Sequence, residues 1–177
     1  MMSPKAFIFD VFGTVVDWRN GVASEVTKEF YHKHIEFDPF EFADLWRGQY
    51  QPAMQRIRSG NREYVQLDIL HRENLVTVLD QTGLHDAFSE DEITELNHAW
   101  EKLPAWPDSS PGLYALKEKA IIAPCSNGSI AIMTRIAKYS DLPWDCILGA
   151  EIAQTTSPPK TRTSSQWKRW DYARKKW

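Results

Sequence analysis

Cysteine is scarce in this chain: Cys125 and Cys146 are the only two in 177 residues. Neither belongs to a close metal-ligand pair, and two thiols cannot build a disulfide framework, so a stapled secreted scaffold is excluded. They are read as free thiols in a reducing compartment. Long apolar runs are lacking as well; none approaches the roughly 18 residues that cross a bilayer. Met1-Met2-Ser3-Pro4-Lys5 leads straight into the apolar stretch Ala6-Phe7-Ile8-Phe9. That stretch is too short for a signal-peptide core, which makes a cytoplasmic protein the default expectation. The five histidines show no ligand spacing, and no metal centre is expected from them.

What is present is an ordinary globular composition. Apolar residues make up 42% and charged residues 25%, enough for one domain with a useful core and an insertion. The net charge of −3 conceals an asymmetry. Residues 157–177 hold seven Lys/Arg and one acid, Asp171, a net of +6 that leaves −9 for residues 1–156. Upstream, apolar residues recur at helix and strand periods. Downstream, no aliphatic residue is larger than Ala173. A basic tail with interleaved Trp suits nucleic acid or an acidic membrane surface. A disordered or abnormal chain end explains it more simply, and we expect neither nucleic acid nor membrane as a partner.

The pattern predicts a buried strand over residues 6–10, followed by a loop in which Gly13 makes a tight turn. Val22, Val26 and Phe30 predict a helix from Trp18 to His34. Asp38-Pro39 pairs an N-cap with a residue suited to the first helical position, opening a second helix that runs to Ser59-Gly60. A third covers Arg62 to Gln81 with Gly83 as its C-cap. Ser89-Glu90-Asp91-Glu92 has capping-box form and starts a fourth through Trp100. After the Pro-rich turn Leu103–Pro111, a helix (Gly112–Lys119), a strand (Ala120–Pro124), the loop Ser126-Asn127-Gly128-Ser129, a helix to Tyr139 and a strand (Cys146–Gly149) follow. Strands alternating with helices predict an α/β fold with a Rossmann-like parallel sheet, whose ligands sit at the carboxyl ends of the strands. Asp10 and Ser126 both fall there.

An aspartate that follows a buried strand can act as a covalent nucleophile when its carboxylate is set against an electrophile and water is admitted later. Thr14 either orients that carboxylate or is a simple loop hydroxyl. Ser126-Asn127-Gly128 is either part of a site or a turn before a helix cap.

The segment Phe9-Asp10-Val11-Phe12-Gly13-Thr14-Val15-Val16-Asp17 resembles the first motif of the haloacid dehalogenase superfamily, and Cys125-Ser126-Asn127-Gly128-Ser129 resembles the second. The type II L-2-haloacid dehalogenases are the most similar branch. Phe12 stands where phosphatases of the superfamily carry a second Asp, and Leu45-Trp46-Arg47-Gly48-Gln49-Tyr50 resembles a cap segment that supplies an arginine. The resemblance covers residues 5–156. It implies an α/β core (residues 1–16 and 103–156), an inserted helical cap domain (17–102) and a basic tail outside the family pattern (157–177). It also implies roles: Asp10 as nucleophile, Thr14 beside it, Arg47 receiving the halide, Ser126 and Asn127 holding the substrate carboxylate, and Phe12 lining an apolar pocket. The expected reaction turns short 2-haloacids into 2-hydroxy acids through an ester on Asp10, with no cofactor and no metal. Members of the branch often dimerise, so the resemblance admits a homodimer. His32, His34, His71, His85 and His98 are read as surface or cap residues without a catalytic role.

The resemblance ends near Thr156. Ser157 occupies the position of the third-motif lysine, Lys160 comes three residues later beyond two prolines, and no fourth motif follows. The core is therefore expected to be incomplete at the C-terminus, through a shifted reading frame or a truncated gene that sequencing of the coding DNA would reveal. A magnesium-dependent phosphatase and a catalytically inactive family member are the alternative readings.

Overall fold

The computed structural model describes residues 4–149. Two short strands, β1 (Ala6–Phe9) and β2 (Ile121–Pro124), pair in parallel with Ala6 opposite Ile121 and Phe9 opposite Pro124. Between them in the chain lies a block of helices. It comprises α1 (Trp18–Lys33), α2 (Pro39–Gly48), α3 (Tyr50–Arg58), α4 (Leu67–Thr82) and α5 (Glu90–Asn97), then a 3-10 turn (His98–Glu101). α6 (Ser109–Lys117) leads into β2, and α7 (Ile130–Tyr139) follows it. The expected α/β architecture with a parallel sheet and a helical insertion is thus present. No helix of the described residues is long and apolar enough to cross a membrane.

Local signals explain most of the boundaries. Asp17 caps α1 by accepting the Asn20 amide at 3.1 Å, and Asp38 caps α2 by accepting that of Phe40 at 2.8 Å. Gly83 ends α4 in the left-handed region at φ +68°, where a side chain would be strained. Ser89 and Glu92 form the reciprocal capping box of α5.

Besides α6, which starts three residues earlier and ends two residues earlier than expected, three larger differences from the sequence expectation stand out. The helix expected from Asp38 to Gly60 breaks at Gln49, because Pro52 has no amide to offer the Gly48 carbonyl and its ring crowds that group. The third helix begins at Leu67, after an extended Gln66, five residues later than expected. The stretch Cys146–Gly149 is not a strand. Ile121 and Cys125 donate toward β1, so positions 122 and 124 face the other way. There the Ile122 amide donates to the Asp145 side chain at 2.9 Å, and Pro124 has no amide at all. The ladder lacks the donors to continue.

One buried cluster runs from the helices into the sheet layer. Phe30 of α1, Phe42 and Trp46 of α2 and Leu75 of α4 share it with Ile122 of β2 and Ile136 of α7. Each such fully buried side chain contributes ~1.5–3 kcal/mol. Gly21 sets how closely α1 approaches the returning chain: a Cβ there would lie 2.8 Å from Pro104 and 3.0 Å from the Leu103 backbone. That close approach holds the helical block over the loop that follows β1.

Candidate active site

Asp10 stands at the carboxyl end of β1, beside the corresponding end of β2, where the Cys125 amide donates to the Phe9 carbonyl at 2.6 Å. The chain then folds into a compact loop in which the Val11 carbonyl accepts the amides of Thr14, Val15 and Val16 at 3.2, 2.9 and 3.1 Å. Gly13 supplies the φ of +87° that this loop needs. The turn brings the Thr14 hydroxyl back to donate to Asp10 Oδ2 at 3.2 Å. Asp10 is exposed, and its second oxygen has no hydrogen-bond partner among the described residues.

Arg47, near the end of α2, is the cation of the site. Its guanidinium lies 4.2 Å above the Tyr50 ring and 5.8 Å from that of Trp18. It makes no ion pair among the described residues. Burial pulls it below the ordinary arginine range, while Tyr50 and Asp10 act in the opposite direction. Arg47 and Asp10 therefore feel one another across the same space.

The loop after β2 closes a further side. Asn127 Nδ2 donates to the Tyr50 hydroxyl at 2.7 Å. The Ser126 hydroxyl accepts the Gly128 amide at 3.2 Å, which leaves its own proton to donate. Ser129 caps α7 by accepting the Ile132 amide at 3.1 Å, and its hydroxyl reaches both Asp68 oxygens at 2.9 Å. Burial raises the Asp68 carboxyl, and the Ser129 hydrogen bond partly offsets this. Two polar contacts thus tie this loop to the helical block.

Phe12 points into an aromatic wall, edge-on to His71 at 6.3 Å and to Trp100 at 6.1 Å. His71 stacks on Trp100 at 4.3 Å. It is buried, and burial first, then the charge of Arg47, hold its imidazole down to about 3, so it is neutral at ordinary pH. Among the histidines read as surface or cap residues, His71 is thus a buried one on α4, packed against Phe12 and Trp100. A surface concavity of about 510 Å³, lined by Arg19, Asp38, Glu41, Asp44, Leu45, Gly48 and Gln49, opens elsewhere and includes none of these site groups. Among the described residues, no group of three or more His, Cys, Asp or Glu side chains is placed to hold a metal ion.

A model of haloacid dehalogenase-like hydrolases matches residues 4–162. The chain belongs to this family. Crystal structures of two L-2-haloacid dehalogenases resemble it strongly. A defluorinating one is 43% identical with a TM-score of 0.88, covering 97% of this chain and 69% of its own. A second is 36% identical with a TM-score of 0.83, covering 88% of this chain and 66% of its own. The L-2-haloacid dehalogenase from Xanthobacter autotrophicus shares the fold at 22% identity and a TM-score of 0.75, covering 88% of this chain and 60% of its own. The chain therefore spans about two thirds of the length of these enzymes. No curated protein matches it.

In this haloacid dehalogenase-like chain, the expected site residues divide by place. Asp10 and Thr14 touch directly, Arg47 on α2 lies within electrostatic range of Asp10, and Asn127 is linked to Arg47 through Tyr50. No hydrogen bond among the described residues links Ser126 to Asp10. Ser157 and Lys160 lie outside the described residues. Sequence reasoning missed Tyr50, Trp18, His71 and Trp100. Only Tyr50 carried a signal, since it stands three residues after Arg47, a spacing that puts two side chains on one face of the single helix expected from Asp38 to Gly60.

Proposed function

We propose that this protein hydrolyses short 2-haloacids to 2-hydroxy acids through an ester on Asp10. The supporting observation is Arg47, a half-buried guanidinium with no ion-pair partner among the described residues, lying in the field of Asp10. An unpaired cation withdrawn from water is costly unless an anion arrives to meet it. A 2-haloacid brings a carboxylate and releases a halide, so both substrate and leaving group supply that anion. Identity of 43% and 36% to two L-2-haloacid dehalogenases supports the same choice.

In the first step an Asp10 oxygen attacks the substrate Cα from behind the carbon–halogen bond. The bond pair leaves with the halide toward Arg47, which stabilises the charge as it develops. Thr14 holds the other carboxylate oxygen and orients the attack. Ser126 and Asn127 donate to the substrate carboxylate. Phe12, backed by His71 and Trp100, forms the apolar wall beside the halogen-bearing carbon. In the second step water adds to the Asp10 carbonyl carbon, the ester bond to the former nucleophilic oxygen breaks, and a 2-hydroxy acid of inverted configuration departs with release of a proton. Residues 17–102 act as the cap over a core made of residues 1–16 and 103–156.

The test is halide release from L-2-chloropropionate by the full chain, beside phosphate release from a phosphomonoester with magnesium. Stoichiometric chloride, abolished in Asp10→Asn, is expected. Phosphate release without chloride would replace this reading with that of a phosphatase.

A further inference from the structure

Arg47 and Asn127 enter the site from different parts of the chain, one from α2 and the other from the loop after β2. Tyr50 touches both. Its ring lies 4.2 Å from the Arg47 guanidinium carbon, and its hydroxyl accepts Asn127 Nδ2 at 2.7 Å. The guanidinium carbon lies over the ring at cation–π distance, so the Tyr50 ring holds the Arg47 head group in place without using a hydrogen-bond donor of it. The hydroxyl fixes the Asn127 amide, since only its nitrogen end can donate to the phenol oxygen in that bond. One side chain thereby sets the distance between a cation and an amide that have no direct contact.

We propose that Tyr50 is a positioning residue: it fixes the Arg47 guanidinium and the Asn127 amide relative to one another, the first for the halide end of a small haloacid and the second for its carboxylate end. This rests on the dehalogenase reading. The ring acts on the halide end through Arg47, and the hydroxyl acts on the carboxylate end through Asn127. The two actions are separable, because Ser129 anchors the same loop to Asp68 independently of Tyr50. The loop therefore stays docked when the phenol oxygen alone is removed.

Tyr50→Phe and Tyr50→Leu in the full chain separate the two actions. In nitrogen-15-labelled protein, the Arg47 Nε–H resonance reports the ring and the Asn127 side-chain amide reports the hydroxyl. Tyr50→Phe is expected to shift the Asn127 resonances and leave that of Arg47 in place; Tyr50→Leu is expected to shift both. With L-2-chloropropionate, Tyr50→Phe is expected to raise KM ~5-fold at nearly constant kcat, the loss of one neutral hydrogen bond. Tyr50→Leu is expected to lower kcat ~10-fold as well, because Arg47 is no longer held where the halide departs. Unshifted Asn127 resonances in Tyr50→Phe, or equal kinetic losses in both variants, would overturn the proposal. A wild-type chain that releases no halide sinks the dehalogenase reading instead, and the resonances alone then decide whether Tyr50 holds the two groups.

Discussion

Removing Ser129 or Asp68 tests how firmly the loop after β2 is fastened to the helical block. Ser129 is buried and does two things: it caps α7 through the Ile132 amide and donates to Asp68. Loss of a helix cap costs about 1 kcal/mol. A hydrogen bond to a charged group contributes about 1.5–3 kcal/mol, which the partial exposure of Asp68 reduces to about 1. Ser129→Ala should therefore cost ~2 kcal/mol and Asp68→Ala ~1 kcal/mol, with a coupling of ~1 kcal/mol in the double variant. Urea unfolding of the four proteins at neutral pH measures this. The pH dependence has a defined sign. The Asp68 carboxyl is raised in the folded state above its ordinary 3.8, so the native chain holds its proton to higher pH than the unfolded chain does. Asp68 thus makes stability fall as pH rises through the window just above 3.8, and Asp68→Asn should gain on the wild type across that window. Additive single variants, with coupling within ~0.3 kcal/mol of zero, would refute the contact as a fastening.

Two other predictions follow from the same physics. Arg47→Lys keeps the charge but loses the guanidinium that lies over the Tyr50 ring, so kcat for L-2-chloropropionate should fall by about 10–100-fold, read as chloride release. Glu92 is held down to about 2 by the Lys33 side chain and then by the Ser89 backbone and hydroxyl, well below its ordinary 4.5. Its support for α5 is complete above 4.5 and lost as pH falls toward 2, so the difference in melting temperature between wild type and Glu92→Gln should vanish over that range.

The parts of the fold that were legible in the sequence are those fixed by neighbours in the chain. Asp38-Pro39, Gly83 and the Ser89–Glu92 box each satisfy or end a helix with groups a few residues away, and all three do so in the structure. Pro52 was equally local, but its effect falls four residues upstream on Gly48, where the apolar pattern runs on without interruption. The expected strand at Cys146–Gly149 failed for a reason outside its own residues, namely the donors missing from the facing edge of β2. The site shows the same division. Asp10, Gly13 and Thr14 lie within one turn and could be recognised together. Tyr50 and Asn127 are 77 positions apart, and His71 owes its burial to Phe12 and Trp100. Such pairings are set by how the helices pack on the sheet, which no local pattern encodes.

The central claim is that Asp10 forms a bond to the substrate carbon. A single turnover of excess protein with L-2-chloropropionate in water enriched in oxygen-18 tests it most directly. If water attacks the Asp10 carbonyl carbon, the label enters the carboxyl of Asp10, and the first lactate released carries unlabelled oxygen from that side chain. Mass spectrometry of the peptide that contains Asp10 should then show a gain of one oxygen-18. Labelled lactate in the first turnover, with an unlabelled Asp10 peptide, would mean that water attacks the substrate directly and would contradict the account.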